Sequence, residues 1–223
     1  MKNNAELRAD VLTAIKLESL LHFAEIEVEA KNGYVLLTGE VESYIKKMEA
    51  ENAVKKVIGV KVLVEKIKVK IQSKWMKTDS EIVKKISKAL KRTWTLPKDK
   101  IIVKVENGWV TLDGKFDWNY QREAAKKAVH FLYGVRGVTN NIKIKSKPDD
   151  SIELKDIEKA LKINVIDDSK INVNLSGSTV KLSGTAISWY QRDEAERIVW
   201  KTPCVCNVNN ELEIEYYHNL VVI

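Results

Sequence analysis

The sequence predicts an α+β protein built from three tandem copies of one small domain, each with the element order α-β-β-α-β. Three observations predict this. A strand motif closed by glycine occurs three times, the apolar residues after each copy keep the same spacing, and a helical pattern precedes each copy. We expect two helices on one face of a three-stranded mixed sheet, because a hairpin makes the first two strands antiparallel and a helical crossover favours a parallel third strand.

The repeated motif is a tight turn, a strand with alternating apolar residues and a closing glycine, Gly39, Gly114 or Gly184. In every copy an alanine follows that glycine after 11 residues, a valine after 15 and an aliphatic strand residue after 28. These residues are Ala50, Ala125 and Ala195, then Val54, Val129 and Val199, then Ile67, Ile142 and Leu212. A register kept over that distance indicates three copies of one domain.

Five glycines are expected to be structural, because turns and strand ends require positive φ or close approach of the backbone. They are Gly33, Gly39, Gly108, Gly114 and Gly184.

The first unit spans residues 1–72. Apolar residues recur at helical spacing at its start, where Leu7, Val11 and Ile15 form one face, and then alternate on both sides of a turn. Its predicted elements are a helix from about Ala5 to Leu20, a strand around Ile26 and Val28, a strand around Val35 and Leu37, a helix from about Glu42 to Ile58 and a strand from about Val62 to Ile71.

The second and third units, residues 78–146 and 150–216, repeat this order. Asp79 or Ser80 is the predicted N-cap of the first helix in the second unit. The second helices are predicted from Trp118 to about Tyr133 and from about Tyr190 to Trp200, and the last strand from Val208 to Glu215.

The net charge of +7 is distributed unevenly along the chain. Residues 1–72 carry 12 Lys/Arg and 11 Asp/Glu, residues 73–147 carry 18 and 7, and residues 148–223 carry 8 and 13. The second unit is therefore strongly basic and is followed by an acidic third unit.

No apolar run is long enough to span a membrane, and the first residues lack the apolar core of a signal peptide. The chain as written is therefore expected to be cytoplasmic, or periplasmic if it is a processed form. Cys204 and Cys206 are spaced poorly for a disulfide and lack a second pair of metal ligands. We expect free thiols, no metal site and no other cofactor.

No catalytic constellation is recognisable, and the sequence predicts a protein that is not an enzyme. Phosphate-loop, zinc-protease and serine-hydrolase motifs do not occur. The histidines lie at unrelated positions of their units, and His130 is interpreted as a partly buried structural residue. The acidic pairs at residues 149–150 and 167–168 fall in turn-like segments, where capping explains them.

The element order, the Asn-Gly-aromatic-Val-x-Leu-x-Gly strand and a Gly-Val-x-x-Val segment before the last strand resemble the BON domain. That segment begins at Gly59, where Leu63 stands in place of its second valine, and at Gly134, and Cys204 replaces its glycine in the third unit. The resemblance implies a bacterial protein linked to osmotic stress and envelope integrity, which binds phospholipid membranes or partner proteins rather than catalysing. Many such proteins are periplasmic. Some members of the family are thought to sense potassium, so a small-ligand or potassium sensor is the alternative.

The candidate binding site is a cationic helix in the second unit, flanked by tryptophans. A helix of this kind suits an anionic lipid surface, where tryptophan rings lie at the headgroup level. The candidate residues are Lys84, Lys85, Lys88, Lys91, Arg92 and Trp94. The same face is alternatively a solvated surface or one docked on the acidic third unit. Nucleic acid is a lesser alternative, because residues 134–137 spell Gly-x-x-Gly, the backbone clamp of KH nucleic-acid domains. In KH domains this clamp joins two helices, whereas here it joins a predicted helix to a predicted strand.

Overall fold

The computed structural model describes residues 2–22, 24–97, 100–145, 153–164 and 170–215. Within these ranges the elements follow the order α-β-β-α-β three times. The helices are α1 (Asn4–Leu17), α2 (Tyr44–Lys55), α3 (Asp79–Arg92), α4 (Asn119–His130), α5 (Leu154–Asn164) and α6 (Trp189–Val199). The strands are β1 (Glu25–Lys31), β2 (Tyr34–Val41), β3 (Val62–Val69), β4 (Ile101–Glu106), β5 (Trp109–Phe116), β6 (Gly137–Asn140), β7 (Lys143–Ile144), β8 (Ile171–Ser176), β9 (Thr179–Ala186) and β10 (Asn207–Ile214).

Each unit forms its own mixed sheet, and the predicted fold class is confirmed. The strand that follows the hairpin turn lies in the middle, antiparallel to the strand before it and parallel to the strand after the second helix. The third unit has the same arrangement in β8, β9 and β10. A helical crossover therefore returns the chain to the open side of each hairpin.

The last strand of the second unit is divided into β6 and β7, which both pair with β5 in parallel. The Asn140 side chain donates to the carbonyl of Arg122 (3.2 Å) and accepts from the amide of Ile142 (3.3 Å). Asn210 makes the same two contacts in the third unit, where β10 is continuous. This asparagine ties the last strand to the preceding helix in both units.

The N-cap of α3 is Thr78, so the prediction of Asp79 or Ser80 was wrong. Thr78 has extended backbone (φ −69°, ψ 154°), its hydroxyl accepts from the amide of Glu81, and the Glu81 carboxylate accepts from the Thr78 amide. The Asp79 carboxylate instead accepts from the amides of Asn107 and Gly108, both at 2.9 Å. Asp79 is therefore used to hold the hairpin turn against the start of the helix.

Three separate hydrophobic cores lie between the helices and the sheets. The alanine, valine and strand aliphatic of each repeat are all buried in them. Complete burial of an aliphatic side chain contributes about 1.5–3 kcal/mol. The three-fold register in the sequence is thus the register of three cores.

The closing glycines lie where no side chain fits. A Cβ atom at Gly39, Gly114 or Gly184 would come within 2.2, 2.4 or 2.0 Å of a backbone carbonyl oxygen. Those oxygens belong to Glu25, Lys100 and Lys170, respectively. The φ values of Gly39 and Gly184 are positive as well (+129° and +107°), whereas Gly114 is constrained by the close approach alone. The turn glycines Gly33 and Gly108 have φ of +85° and +79°.

Candidate functional site

The basic face of α3 is a product of helical spacing. Ile82, Ile86 and Leu90 are buried in the core of the second unit, which fixes the rotation of the helix. Five cations lie on the opposite side, within roughly 120° of arc at 3.6 residues per turn. They are Lys84, Lys85, Lys88, Lys91 and Arg92, named below the basic face.

All five cations of the basic face are exposed, and within the described part of the chain none forms an ion pair or a side-chain hydrogen bond. The acids of α3 lie in its first turn, where Glu81 is used for capping. A backbone hydrogen bond from Thr78, then its hydroxyl and Lys77, hold the pKa of Glu81 below its usual value. Within the described residues, therefore, nothing neutralises the positive charge of the basic face, and no residue of the third unit covers it.

Large exposed side chains lie at both ends of α3. Trp94, just past the helix, is 91% exposed. At the other end Trp75 and Met76 are also exposed, and the Trp75 ring stacks on Tyr133 with centroids 4.8 Å apart. Tryptophan combines an apolar ring with a polar N–H, which suits the boundary between water and a lipid surface.

The corresponding helices of the other units lack such a face. α1 carries Arg8 and Lys16 together with acids, and the three lysines of α5 are flanked by Asp156 and Glu158. The exposed lysines of α5 are Lys155, Lys159 and Lys162. The basic face is thus specific to the second unit.

The Gly-x-x-Gly segment is not an open backbone clamp. Gly134, Val135 and Gly137 are buried, and the ring of Trp109 covers Gly137 so closely that a Cβ there would lie 2.4 Å from it. A nucleic-acid clamp requires backbone that a ligand can reach. The buried geometry disfavours the nucleic-acid alternative at this loop.

The first unit contacts both of the others. Tyr44, the first residue of α2, packs against the core of the second unit, where burial raises its pKa and a hydrogen bond with the Val138 backbone opposes that rise. Trp189, the first residue of α6, packs against the core of the first unit, and its indole N–H donates to the carbonyl of Lys61 (3.2 Å). Tyr44 and Trp189 both lie five residues after a closing glycine.

The second and third units meet around a cleft of about 650 Å³. Arg122 of α4 lies over the ring of Trp200, 4.2 Å from its centroid, and the Cys206 thiol contacts the carbonyl of Lys145 (3.1 Å). Neither cysteine forms a disulfide, and both line the cleft, as does Asn119. Sequence reasoning missed this cleft. The signal that pointed to it is Asn119, which stands five residues after Gly114, where the other units carry an aromatic residue.

Within the described residues no group of three His, Cys, Asp or Glu side chains is placed to hold a metal ion. Nor does any helix described by the structure have the length and apolar character needed to cross a bilayer. What the fold and the basic face define is a tandem array of small α+β domains with a charged surface. The chain belongs to the BON domain family, whose model matches residues 3–71, 78–146 and 149–216.

Among known proteins the chain is similar to osmotically-inducible protein Y of Escherichia coli (strain K12), with 28% identity over 146 residues covering 60% of this chain and 72% of the relative. Among solved structures it aligns with CdsD, a structural protein of the type III secretion system of Chlamydia trachomatis. That alignment has 15% identity and a TM-score of 0.27, and covers 97% of this chain and 95% of the other. A score this low carries no functional implication.

Proposed function

We propose that this protein is a non-enzymatic, stress-associated BON protein that binds an anionic phospholipid surface through the basic face of α3. The observation that carries the proposal is five exposed cations on one side of one helix, for which the described part of the chain offers no acidic partner, with Trp94 at the helix end. The association with osmotic stress is supported by the similarity to osmotically-inducible protein Y.

The expected affinity is modest. Each Lys or Arg near an anionic leaflet contributes about 1 kcal/mol, and the attraction decays over a Debye length of roughly 10 Å at 0.1 M salt. Five cations on one face supply a few kcal/mol in total, which is enough for reversible, salt-sensitive adsorption. Insertion of the Trp94 ring at the headgroup level adds buried apolar area.

The test is co-sedimentation of the full chain with vesicles of neutral lipid and of neutral lipid mixed with phosphatidylserine. We expect binding to the anionic vesicles alone, lost at high salt. The triple variant Lys84→Glu/Lys85→Glu/Lys88→Glu should abolish binding without unfolding the second unit, because these positions face away from the core.

The matched control is Lys155→Glu/Lys159→Glu/Lys162→Glu, which changes the net charge by the same amount on the corresponding helix of the third unit. It should keep most of the vesicle binding. Equal loss in both triple variants would mean that net charge, not the basic face, drives adsorption. A shift assay with single-stranded and duplex nucleic acid tests the lesser alternative, nucleic-acid binding. Tighter binding to nucleic acid than to anionic vesicles would mean that nucleic acid, not lipid, is the target.

A further inference from the structure

We infer that the cleft between the second and third units is a binding site for a nucleoside phosphate. It lies between the start of α4 and the end of α6 with the loop that follows, and no residue of α3 lines it. The inference does not depend on the lipid proposal, because none of the five basic-face cations lines the cleft.

The cleft exists because one interface between units lacks its aromatic side chain. Tyr44 fills the contact of the first unit with the second, near Val138, and Trp189 fills the contact of the third with the first, near Lys61. The equivalent position of the second unit is Asn119, whose side chain is much smaller. A space of about 650 Å³ remains, which is within the usual range of small-molecule sites.

Asn119 leaves an unused hydrogen-bond acceptor at this place. Its side-chain oxygen is buried, and no donor in the described structure reaches it. A buried polar atom of this kind costs about 1–3 kcal/mol when nothing bonds to it. A ligand with a hydroxyl or N–H group would supply the missing donor, and every nucleoside carries ribose hydroxyls.

The charge left over at the cleft is positive. Three of its acids form ion pairs: Asp193 with Lys55 (2.9 Å), Asp117 with Lys145 (3.6 Å) and Glu123 with Arg122 (3.5 Å). The Glu196 carboxylate accepts from the neutral side chain of Asn210 (3.1 Å), which does not offset its charge. Three lysines of the rim form no side-chain ion pair or hydrogen bond within the described part of the chain. They are Lys126, Lys127 and Lys201. Ammonium groups of this kind bind phosphate oxygens.

Aromatic rings line the same space. Trp118 and Tyr120 lie at the start of α4 and are both exposed, while Trp200 lies at the end of α6 with Arg122 over its ring. Flat rings beside unpaired cations fit a planar base joined to a phosphate, since base stacking on an aromatic side chain contributes about 1–3 kcal/mol. A simple anion would leave the rings and the Asn119 oxygen unused.

The experiment is isothermal titration of the full chain with AMP, GMP, CMP and UMP, beside adenosine, ribose 5-phosphate and inorganic phosphate. We expect at least one nucleotide to bind about tenfold or more tightly than either of its parts, because base and phosphate contacts combine. Two results would overturn the inference: no binding of any of the four nucleotides at millimolar concentration, or no nucleotide among the four that binds more tightly than inorganic phosphate.

Variants locate the site. Asn119→Tyr restores the aromatic side chain of the other interfaces and should abolish binding by filling the cleft. Lys126→Glu/Lys201→Glu should weaken nucleotide binding about tenfold or more while preserving the fold, because both side chains are on the rim. The control Lys84→Glu/Lys85→Glu/Lys88→Glu should bind nucleotide like the parent. Unchanged binding in the folded Lys126/Lys201 variant would place the nucleotide elsewhere and overturn the assignment.

Discussion

Lys55 of the first unit and Asp193 of the third form an ion pair of 2.9 Å although 138 residues separate them in sequence. Glu51 also accepts from Lys55 (3.0 Å), so one ammonium group links two helices of different units. Trp189 lies in the same contact, with its ring against the core of the first unit. The third unit is therefore joined to the first as well as to the second.

Trp189 is expected to be the main anchor of this contact. Trp189→Ala should destabilise the full chain by about 3 kcal/mol, because the ring packs against two hydrophobic cores and its N–H bond to Lys61 is lost. Urea unfolding measures the change. Trp94→Ala removes an equally large ring that is 91% exposed and should cost less than about 0.5 kcal/mol. Similar losses in the two variants would contradict the anchor role.

Gly114 is expected to tolerate no side chain. Gly114→Val should destabilise by about 1–3 kcal/mol, because its Cβ would meet the Lys100 carbonyl oxygen at 2.4 Å. Thermal unfolding reports the change as a lower Tm. Gly177→Asn is the control, since nothing lies within 4 Å of that position and asparagine tolerates its φ of +58°. An unchanged Tm for Gly114→Val would show that the strand can move away from residue 100.

Cys204 occupies a position that suits glycine. Its φ is +69°, and the equivalent residues of the other units, Gly59 and Gly134, have φ of +103° and +97°. Cys204→Gly should therefore stabilise the chain by up to about 1 kcal/mol, because a left-handed backbone is unfavourable for residues with a Cβ. Cys206→Gly should destabilise it, since Cys206 does not have a positive φ. Denaturant unfolding of both variants measures the two changes in the free energy of unfolding. A loss of stability in Cys204→Gly would contradict the expectation.

His130 should make stability depend on pH. Its side chain is 8% exposed, and neither ring nitrogen has a hydrogen-bond partner in the described structure. Burial, then the charges of Lys126 and Lys127, lower its pKa below the ordinary 6.5. Because the folded-state pKa is the lower one, the contribution of neutral His130 is complete above about pH 6.5 and is lost as the pH falls toward the folded-state value.

The variant His130→Phe should lose less stability than the parent between pH 7 and pH 5, measured by urea unfolding at both values. At pH 7 the substitution should change the free energy of unfolding little, because an apolar ring of similar shape replaces an imidazole whose hydrogen-bonding atoms are unsatisfied. Parallel pH profiles for the parent and His130→Phe would mean that the buried ring does not titrate in this range.

The fold could be predicted from the sequence because three copies agree on it. Periodicity defined the cores, but the ends of elements depend on single hydrogen bonds. α1 ends at Leu17 rather than Leu20, since Ser19–Leu21 forms a 3-10 turn, and α3 starts one residue after Thr78 because Asp79 caps a distant turn. The first unit has the same bonds, since Asn3 and Glu6 form its capping box and the Asn4 side chain accepts from the Asn32 amide. Two short polar residues at a helix start do not show by themselves which of them is the cap.

The candidate site was only partly predictable. Helical spacing placed the cations of α3 on one face, but their exposure depends on how the units pack. That packing rests on individual contacts between remote residues, such as Trp189 with Lys61, which are 128 residues apart. In the sequence, Trp189 is one of several aromatic residues at helix starts. The small side chain of Asn119 is informative only when it is compared with Tyr44 and Trp189, the equivalent residues of the other two units.

The mutual contacts of the three units change what a broken chain would do. The first junction, around residues 72–78, is held by the stack of Trp75 on Tyr133, and the first and third units are bonded to each other directly. Hydrolysis of one peptide bond in this junction should therefore yield two bands on a denaturing gel but a single particle in gel filtration. The assembly would behave as a complemented pair of fragments, in which covalent continuity is not what keeps the domains together.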